Sequence, residues 1–468
     1  MAEIFTQSRK NEGDKERNQT PIGCYGRYSR IREHFIMKRI IYFFSRFKTM
    51  TFIGLFSRIT TIFLRYGMSP RRFGNAVIPM VALCKKYGVT PSFPVTASAV
   101  HRNPGFFRNL QGMGADLAIH GLLHLDYTQL DIHSVENHYA RAKEIFENAQ
   151  IKYNGYRFPY LRRNPERVNL LENAGFEWES SEVISWPGIH KAEVSNLQWD
   201  AYQKILQTYQ ALPVEETVSL PYFRNNIVEI PVSIPDDDIL IERVKFPSDL
   251  ISYIWQSMLQ RTAELHEMLV LQLHPERFRE FEDPLNQILL SLSDFPEGWK
   301  ASLDDIHTWW KMRETAHVEV VKTHSDTWNV HAKLPDSGSV VVRNLQPHKY
   351  TKKLDDKSGF VNTNSFQIQS EKMPVIGLHP DCPKWMADHL KNDGYPLQVT
   401  TDANTCACFA SPDSARNHRE LSDFVQKCEY PLVQVWRWPD MKSWCFCVSG
   451  DIDGITLMDF WDRTHGRI

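Results

Sequence analysis

The eight cysteines contain no C-x-x-C pair. That absence excludes a zinc ribbon and argues against a disulfide framework. Cys406 with Cys408, and Cys445 with Cys447, lie two apart in strand-like runs, so each pair faces one side of a strand. Reduced, mostly buried thiols in a cytoplasmic protein are the expectation. Charge of one sign is lacking too. Lys and Arg number 54 against 56 Asp and Glu, a formal net charge of −2. Such a balance gives no argument for nucleic acid as a partner. Nor is there an apolar run of bilayer length. The stretch 40–64 is interrupted by Arg46, Lys48 and Arg58, so no integral membrane span is expected. An amphipathic helix packed on the fold fits it, with peripheral membrane association as the alternative. Met37-Lys38-Arg39 faintly resembles a signal-peptide start, but no small-residue cleavage site follows. No internal repeat is visible.

What is present is 468 residues of 42% hydrophobic content, enough for a large core and two or three domains. Residues 1–30 are polar and charged and read as a disordered N-terminus, followed by a helical lead-in over 31–68. From 69 to 315 helix and short apolar strand alternate. Helices are expected over 76–87, 103–113, 134–148, 165–174, 247–265 and 304–314. Strands are expected over 91–95, 117–119, 155–159, 229–232 and 268–273. This alternation implies a parallel α/β architecture, barrel or open sheet. A β-rich module is expected over 316–372 and a small α/β segment over 373–440. The segment 441–468 opens with an apolar strand, Trp444 to Val448, that has no partner in its own neighbourhood.

Chemistry concentrates at a few points. His120-Gly121-Leu122-Leu123-His124 presents two imidazoles four residues apart, after the apolar run Leu117 to Ile119. Such a pair can serve one metal ion, though two unrelated helical histidines read the same way. The orphan strand runs into Asp451-Ile452-Asp453-Gly454. Two carboxylates on one side of an extended chain allow one to hold a metal and the other to face a water; turn-forming aspartates fit the pattern equally. His120, Arg157 and His274 fall at expected strand ends, where the chemistry of such folds collects. Asp236-Asp237-Asp238 follows a strand at the expected rim. It reads as a solvated acidic turn or as a substrate-binding group through Asp237. Asp126 and Tyr127 are candidates to line the site. Trp309 and Trp310 adjoin on a helix and read as core. The aromatic content, 13 Trp, 17 Tyr and 26 Phe, suits sugar stacking and a large core alike.

Together these pieces resemble the polysaccharide deacetylase family, the NodB-homology or carbohydrate esterase family 4 fold. His120 and His124 match its His-(Ser/Thr)-x-x-His motif in spacing, with Gly121 at the hydroxyl position. Arg157-Phe158-Pro159-Tyr160 resembles its Arg-x-Pro-(Tyr/Phe) motif. The run Gly175-Phe176-Glu177-Trp178-Glu179-Ser180-Ser181 is similar to its Gly-Phe-x-Tyr-Asp-Ser-Ser segment, with Glu179 in place of Asp. Leu271-Gln272-Leu273-His274-Pro275 resembles its terminal histidine motif, with Gln272 in place of a leucine that lines the acetyl pocket. The opening Thr-Phe-Asp-Asp-Gly motif is absent before His120, and Asp451 to Gly454 supplies it from the other end.

The resemblance therefore implies a circularly permuted, distorted (β/α) barrel whose first strand comes from the C-terminus, beside the strand carrying His120. It implies a hydrolase that removes N-acetyl groups from amino sugars of a polysaccharide or its precursor. It also implies a divalent metal, taken to be Zn²⁺ with Co²⁺, Ni²⁺, Mn²⁺ or Fe²⁺ as alternatives, on Asp453, His120 and His124. Asp451 would be the general base, held by Arg157. The Tyr160 backbone N–H would stabilise the oxyanion, and His274 would protonate the leaving amine. The alternatives are a deformylase or allantoinase-like amide hydrolase on the same fold, and a carbohydrate-binding protein that has lost turnover.

Overall fold

In the computed structural model, residues 66–345, 350–361 and 363–465 are described. The expected N-terminal disorder and nearly all of the helical lead-in lie outside them. The architecture is mixed α/β, built on a curled half-barrel sheet with smaller β-sheets added. The strands of the first half are β1 (Ser92–Val95), β2 (Asp116–Ile119), β3 (Gly155–Tyr156), β4 (Trp178–Glu179), β5 (Val183–Ser185) and β6 (Leu212–Pro213). There follow β7 (Tyr222–Arg224), β8 (Ile227–Glu229), β9 (Val232–Ile234), β10 (Met268–Leu273) and β11 (Gly298–Lys300). The last member is the C-terminal strand, Trp444–Gly450.

Across the sheet the order is β6, β5, β9, β10, the C-terminal strand, β1, β2, β3, β4, β8, β7. Only β7 and β8 pair antiparallel. The C-terminal strand is buried at every residue, and its neighbourhood is assembled from the opposite end of the sequence. It pairs with β10 from Met268↔Cys445 to Leu273↔Gly450, with β1 at Ser92↔Ser449, and with β11 at Trp444 to Phe446. The expectation that it lies beside the strand carrying His120 is corrected by one position. His120 follows β2, and β1 stands between.

The apolar strands are hydrophobic on both faces because helices cover them, as parallel sheets require. Arg71–Lys86, Ile132–Asn148, Ser248–Leu265 and Phe278–Ser291 all turn buried side chains to the common core. Trp309 and Trp310, on Leu303–Glu314, are buried there as expected. The single strand expected over 229–232 is two strands. Pro231 has no N–H to give to a ladder, and at that point the chain changes partners, from β4 for β8 to β5 and β10 for β9. Helices at Asn196–Tyr209 and Phe278–Ser291 were not expected.

Beyond Thr315 an antiparallel sheet joins His317–His324, Thr327–Lys333 and Ser365–Gln369. A second joins Lys352–Lys353, Ser358–Val361, Val340–Arg343 and Leu432–Val435. A parallel trio, Leu397–Val399, Met373–Leu378 and Cys406–Ala410, packs with the helices Lys384–Asn392 and His418–Gln426. Leu432–Val435 pairs with Val340–Arg343, so the segments before and after 373 are knit into one sheet.

This region is bolted to the barrel by buried charge. Arg419 Nη1 and Nη2 donate to Glu267 at 2.5 and 3.0 Å, and Glu267 also accepts from Ser219 N at 2.8 Å. Glu267 is 1% exposed and immediately precedes β10. Removing one partner of such a pair strands a buried charge, at a cost of about 3–5 kcal/mol. Arg419→Met should therefore lower unfolding stability by about that amount in urea titration. A change below about 1 kcal/mol, the range of exposed pairs, would show that the pair does not hold the region to the barrel.

Candidate functional site

Five neighbouring strand ends deliver the site. Asp451 and Asp453 follow the C-terminal strand, His120 follows β2, Arg157 follows β3, Ser180 follows β4 and His274 follows β10. The Asp-x-Asp segment stays extended because it continues the ladder on both sides. Asp451 N donates to Leu273 O, Ile452 N to Pro94 O, and Thr96 N to Ile452 O. Thr96 Oγ1 donates to Asp453 O at 3.1 Å. The two carboxylates then point to one cluster with different neighbours.

Asp453 joins the histidines. Its Oδ1 lies 3.1 Å from His124 Nε2 and 3.5 Å from His120 Nε2. His120 Nδ1 is 3.0 Å from the Arg157 carbonyl, an acceptor only, so this nitrogen carries the proton and Nε2 presents its lone pair. His120 Nε2 is fully buried without a hydrogen-bond partner. Burial pushes the His124 imidazole well below its ordinary pKa, outweighing the charge of Asp453, so this ring is neutral. One ligand atom from each of His120, His124 and Asp453 lies within 4.8 Å of the others. Two imidazoles and a carboxylate around an unpartnered buried nitrogen fit a divalent cation.

Asp451 is held differently. Its Oδ1 accepts from Arg157 Nη1 at 2.8 Å and its Oδ2 from Gln272 Nε2 at 3.0 Å. Oδ2 lies 3.8 Å from His120 Nε2, so this carboxylate borders the cation cluster. Arg157 is wholly buried, and each of its three nitrogens donates a hydrogen bond. Nε donates to Ser180 O at 2.6 Å, Nη2 to Ser180 Oγ at 2.8 Å, and Nη1 also to Ser449 Oγ at 3.1 Å. Glu179 takes no part in holding it. Its carboxylate is buried beside Arg163, 3.9 Å away, and Glu229.

His274 Nδ1 is 2.9 Å from Asp237 Oδ1. Burial alone would depress this imidazolium, but the Asp237 charge and hydrogen bond override it and raise the pKa well above the usual value. Asp237 is therefore not a rim group for substrate. It is wholly buried, with Arg277 3.7 Å from its second oxygen. The solvated acidic turn expected at 236–238 is likewise buried. Burial and the charges of Asp237 and Asp238 push Asp236 up to about 7. Asp236, Asp237 and His274 form a second cluster within ligand reach of one another, but its histidine is already spoken for by Asp237.

Two further expectations are corrected. Tyr127 does not line the open side. It is wholly buried among Tyr139, Tyr156 and Phe158, and its hydroxyl accepts from Leu122 N at 2.7 Å. It braces the loop between the histidines. Asp126 is used up locally, with Oδ1 accepting from Thr128 N and Oδ2 paired with Arg162 at 2.5 Å. Tyr160 sits at the mouth at φ 61°, its ring centroid 4.3 Å from that of His124.

Sequence reasoning missed Gln272 as a partner of Asp451, Ser449 as a partner of Arg157, and Arg463. Arg463 comes from the C-terminal helix, Leu457–His465; its Nη1 is 3.9 Å from Asp453 Oδ2 and it bonds the Tyr160 hydroxyl. Gln272 lies inside a quoted motif, and Ser449 lies two residues before another. Nothing in the sequence marks Arg463.

Comparison with known proteins bears out the resemblance. Residues 62–178 match the polysaccharide deacetylase family model. The match includes His120, His124, Arg157 and Tyr160, and stops short of His274 and both aspartates. No curated protein sequence matches. A Mycobacterium smegmatis structure described as a polysaccharide deacetylase is 20% identical, with a TM-score of 0.41, over 55% of this chain and 85% of its own. One from Pseudomonas aeruginosa PAO1, described likewise, is 19% identical, with a TM-score of 0.41, over 52% of this chain and 75% of its own. PuuE allantoinase is 20% identical, with a TM-score of 0.40, over 52% of this chain and 74% of its own. No helix among the described residues is long and apolar enough to cross a membrane.

The departure at Gly121 has a local cause. Its φ is +79°, and a Cβ there would sit 2.8 Å from the Tyr127 hydroxyl. The loop thus requires glycine where the family carries a hydroxyl residue. Gly121→Ser should cost about 1–3 kcal/mol of strain and weaken metal retention, read by thermal melting with and without chelator. An unchanged melting temperature and metal content would contradict this loop geometry.

Proposed function

We propose that the protein is a metal-dependent amide hydrolase that removes N-acetyl groups from the amino sugars of a glycan or its precursor. The observation that carries this reading is the division of labour between Asp451 and Asp453. One segment gives one carboxylate to two imidazoles and the other to a buried arginine. The match of residues 62–178 to the polysaccharide deacetylase family model supports the reaction class. We further propose that the order of motifs is circularly permuted, the Asp-x-Asp strand entering the sheet from the C-terminus. Zinc is our assignment for the metal, on the chemistry of a His₂Asp donor set.

His120, His124 and Asp453 would hold the ion. When bound, such an ion polarises the amide carbonyl and lowers the pKa of a water. Asp451 takes the proton from the attacking water. Arg157 fixes the orientation of Asp451 through a charge-assisted bond. Gln272 fills the other Asp451 oxygen and so sets which lone pair faces the water. The Tyr160 N–H is offered to the developing oxyanion. His274, kept protonated by Asp237, gives its proton to the departing amine.

The proposal is tested by two substitutions two residues apart, read for metal content and acetate release. Asp451→Asn should keep its metal and lose about 10²- to 10⁴-fold in turnover. Asp453→Asn should lose the metal itself. Equal metal loss in both would make both aspartates ligands and end the division of labour. Full turnover in Asp451→Asn would assign the base elsewhere.

The role of His274 gives a pH dependence. A general acid works while protonated, so activity falls as pH rises through its pKa. Asp237 holds that pKa up. Asp237→Asn should therefore move the basic limb of the kcat/KM profile to lower pH. A basic limb unmoved in this variant would detach His274 from it.

A further inference from the structure

Arg463 has no part in the mechanism above, yet it is carried to the cation cluster by a firmly placed helix. Asp459 Oδ2 accepts from Ile455 N and Thr456 N, each at 2.8 Å, and from Thr456 Oγ1 at 3.0 Å. Arg102 Nε pairs with the other oxygen of Asp459 at 3.1 Å, and Arg102 also pairs with Asp462. The helix's own acids are thus consumed by Arg102, not by Arg463. Among the described residues, Asp453 is the one carboxylate within 4.0 Å of Arg463, and it stands at 3.9 Å. The guanidinium lies 5.3 Å from the Tyr160 ring centroid and bonds the Tyr160 hydroxyl, which orients its plane. Its side chain is 25% exposed, beside a 23% exposed Asp453, so it faces the opening rather than the core.

The charge count makes this position informative. It rests on the hydrolase reading given above. A divalent cation on His120, His124 and Asp453 would claim the Asp453 charge, and an imidazole that binds a cation does so as a neutral ligand. The loaded cluster is then cationic, with a guanidinium at its lip whose carboxylate partner has been taken. Asp451 cannot replace it, because Arg157 and Gln272 hold both its oxygens. Like charges placed so close call for an anion between them, and a fixed guanidinium is a fork for two oxygens of one.

We propose that Arg463 is the subsite for an oxyanion group, a phosphate ester or a carboxylate, borne by the substrate close to the scissile amide. The natural substrate is therefore an anionic N-acylated amino sugar rather than a neutral one.

The test uses the metal-loaded full chain and four compounds: N-acetylglucosamine, its 1-phosphate, its 6-phosphate and N-acetylglucosaminuronic acid. At least one charged compound should exceed the neutral sugar in kcat/KM by about 10- to 100-fold, the worth of a charged hydrogen bond. Which one does so separates phosphate from carboxylate. In Arg463→Gln the charged-to-neutral ratio should collapse towards one, chiefly through KM, and Arg463→Lys should restore part of it. Equal handling of charged and neutral sugars by the unaltered protein overturns the proposal, as does an unchanged ratio in Arg463→Gln. Binding of inorganic phosphate, followed by calorimetry, separates the two readings. If no compound releases acetate, the hydrolase reading falls. Phosphate that binds the unaltered protein but not Arg463→Gln then still supports the anion subsite, and phosphate that binds neither overturns it.

Discussion

The bond between Arg157 and Asp451 is the constraint around which the site is arranged. A guanidinium with no exposure is tolerable only when its nitrogens find acceptors and a carboxylate faces it. Arg157 meets that demand by drawing in two strand ends: Ser180 after β4, and Ser449 with Asp451 at the end of the C-terminal strand. Its own carbonyl fixes the His120 tautomer. One buried residue thereby sets the orientation of the Asp451 carboxylate and of the His120 imidazole together. With the partners 294 positions apart in sequence, the pair ties β3 to the C-terminal strand.

The second constraint is the position of the C-terminal strand. Set between β10 and β1, it brings Asp451 and Asp453 into line with His274 on one side and with the His120 loop on the other. Each strand contributes its C-terminal end, so residues distant in sequence meet at one edge of the sheet, as in parallel α/β folds generally. The region between residues 316 and 435 does not enter the described site. Its buried Arg419–Glu267 pair reaches the base of β10, at the far end of that strand from His274.

Much of the candidate site was legible because its residues are short-range motifs. The His120/His124 spacing, the Asp-x-Asp and the Arg157 to Tyr160 run each sit on consecutive residues after an apolar strand. The orphan quality of Trp444 to Val448 correctly signalled a distant partner, although the pattern alone could not say which. What sequence could not supply was burial. Asp237 and Tyr127 carry polar groups at places that read as a rim, but neighbours from elsewhere in the chain enclose them. Asp237 is covered by His274 and Arg277, and Tyr127 by its aromatic cluster. The helix Phe278–Ser291 was obscured by Pro284. A kink at Phe281, φ −127°, places that proline in the first turn of the part that follows, where its missing N–H costs nothing. Arg463 was invisible because helix packing, not a motif, carries it to the site.

The central claim is that a divalent metal sits on His120, His124 and Asp453 with Asp451 beside it. Anomalous diffraction at the zinc edge from crystals of the zinc-loaded protein tests this most directly. The account predicts one peak, about 2.0–2.2 Å from one nitrogen of each histidine and one Asp453 oxygen, with Asp451 still bonded to Arg157. A peak bound instead by Asp236, Asp237 and His274, or bridged by both Asp451 and Asp453, would contradict it.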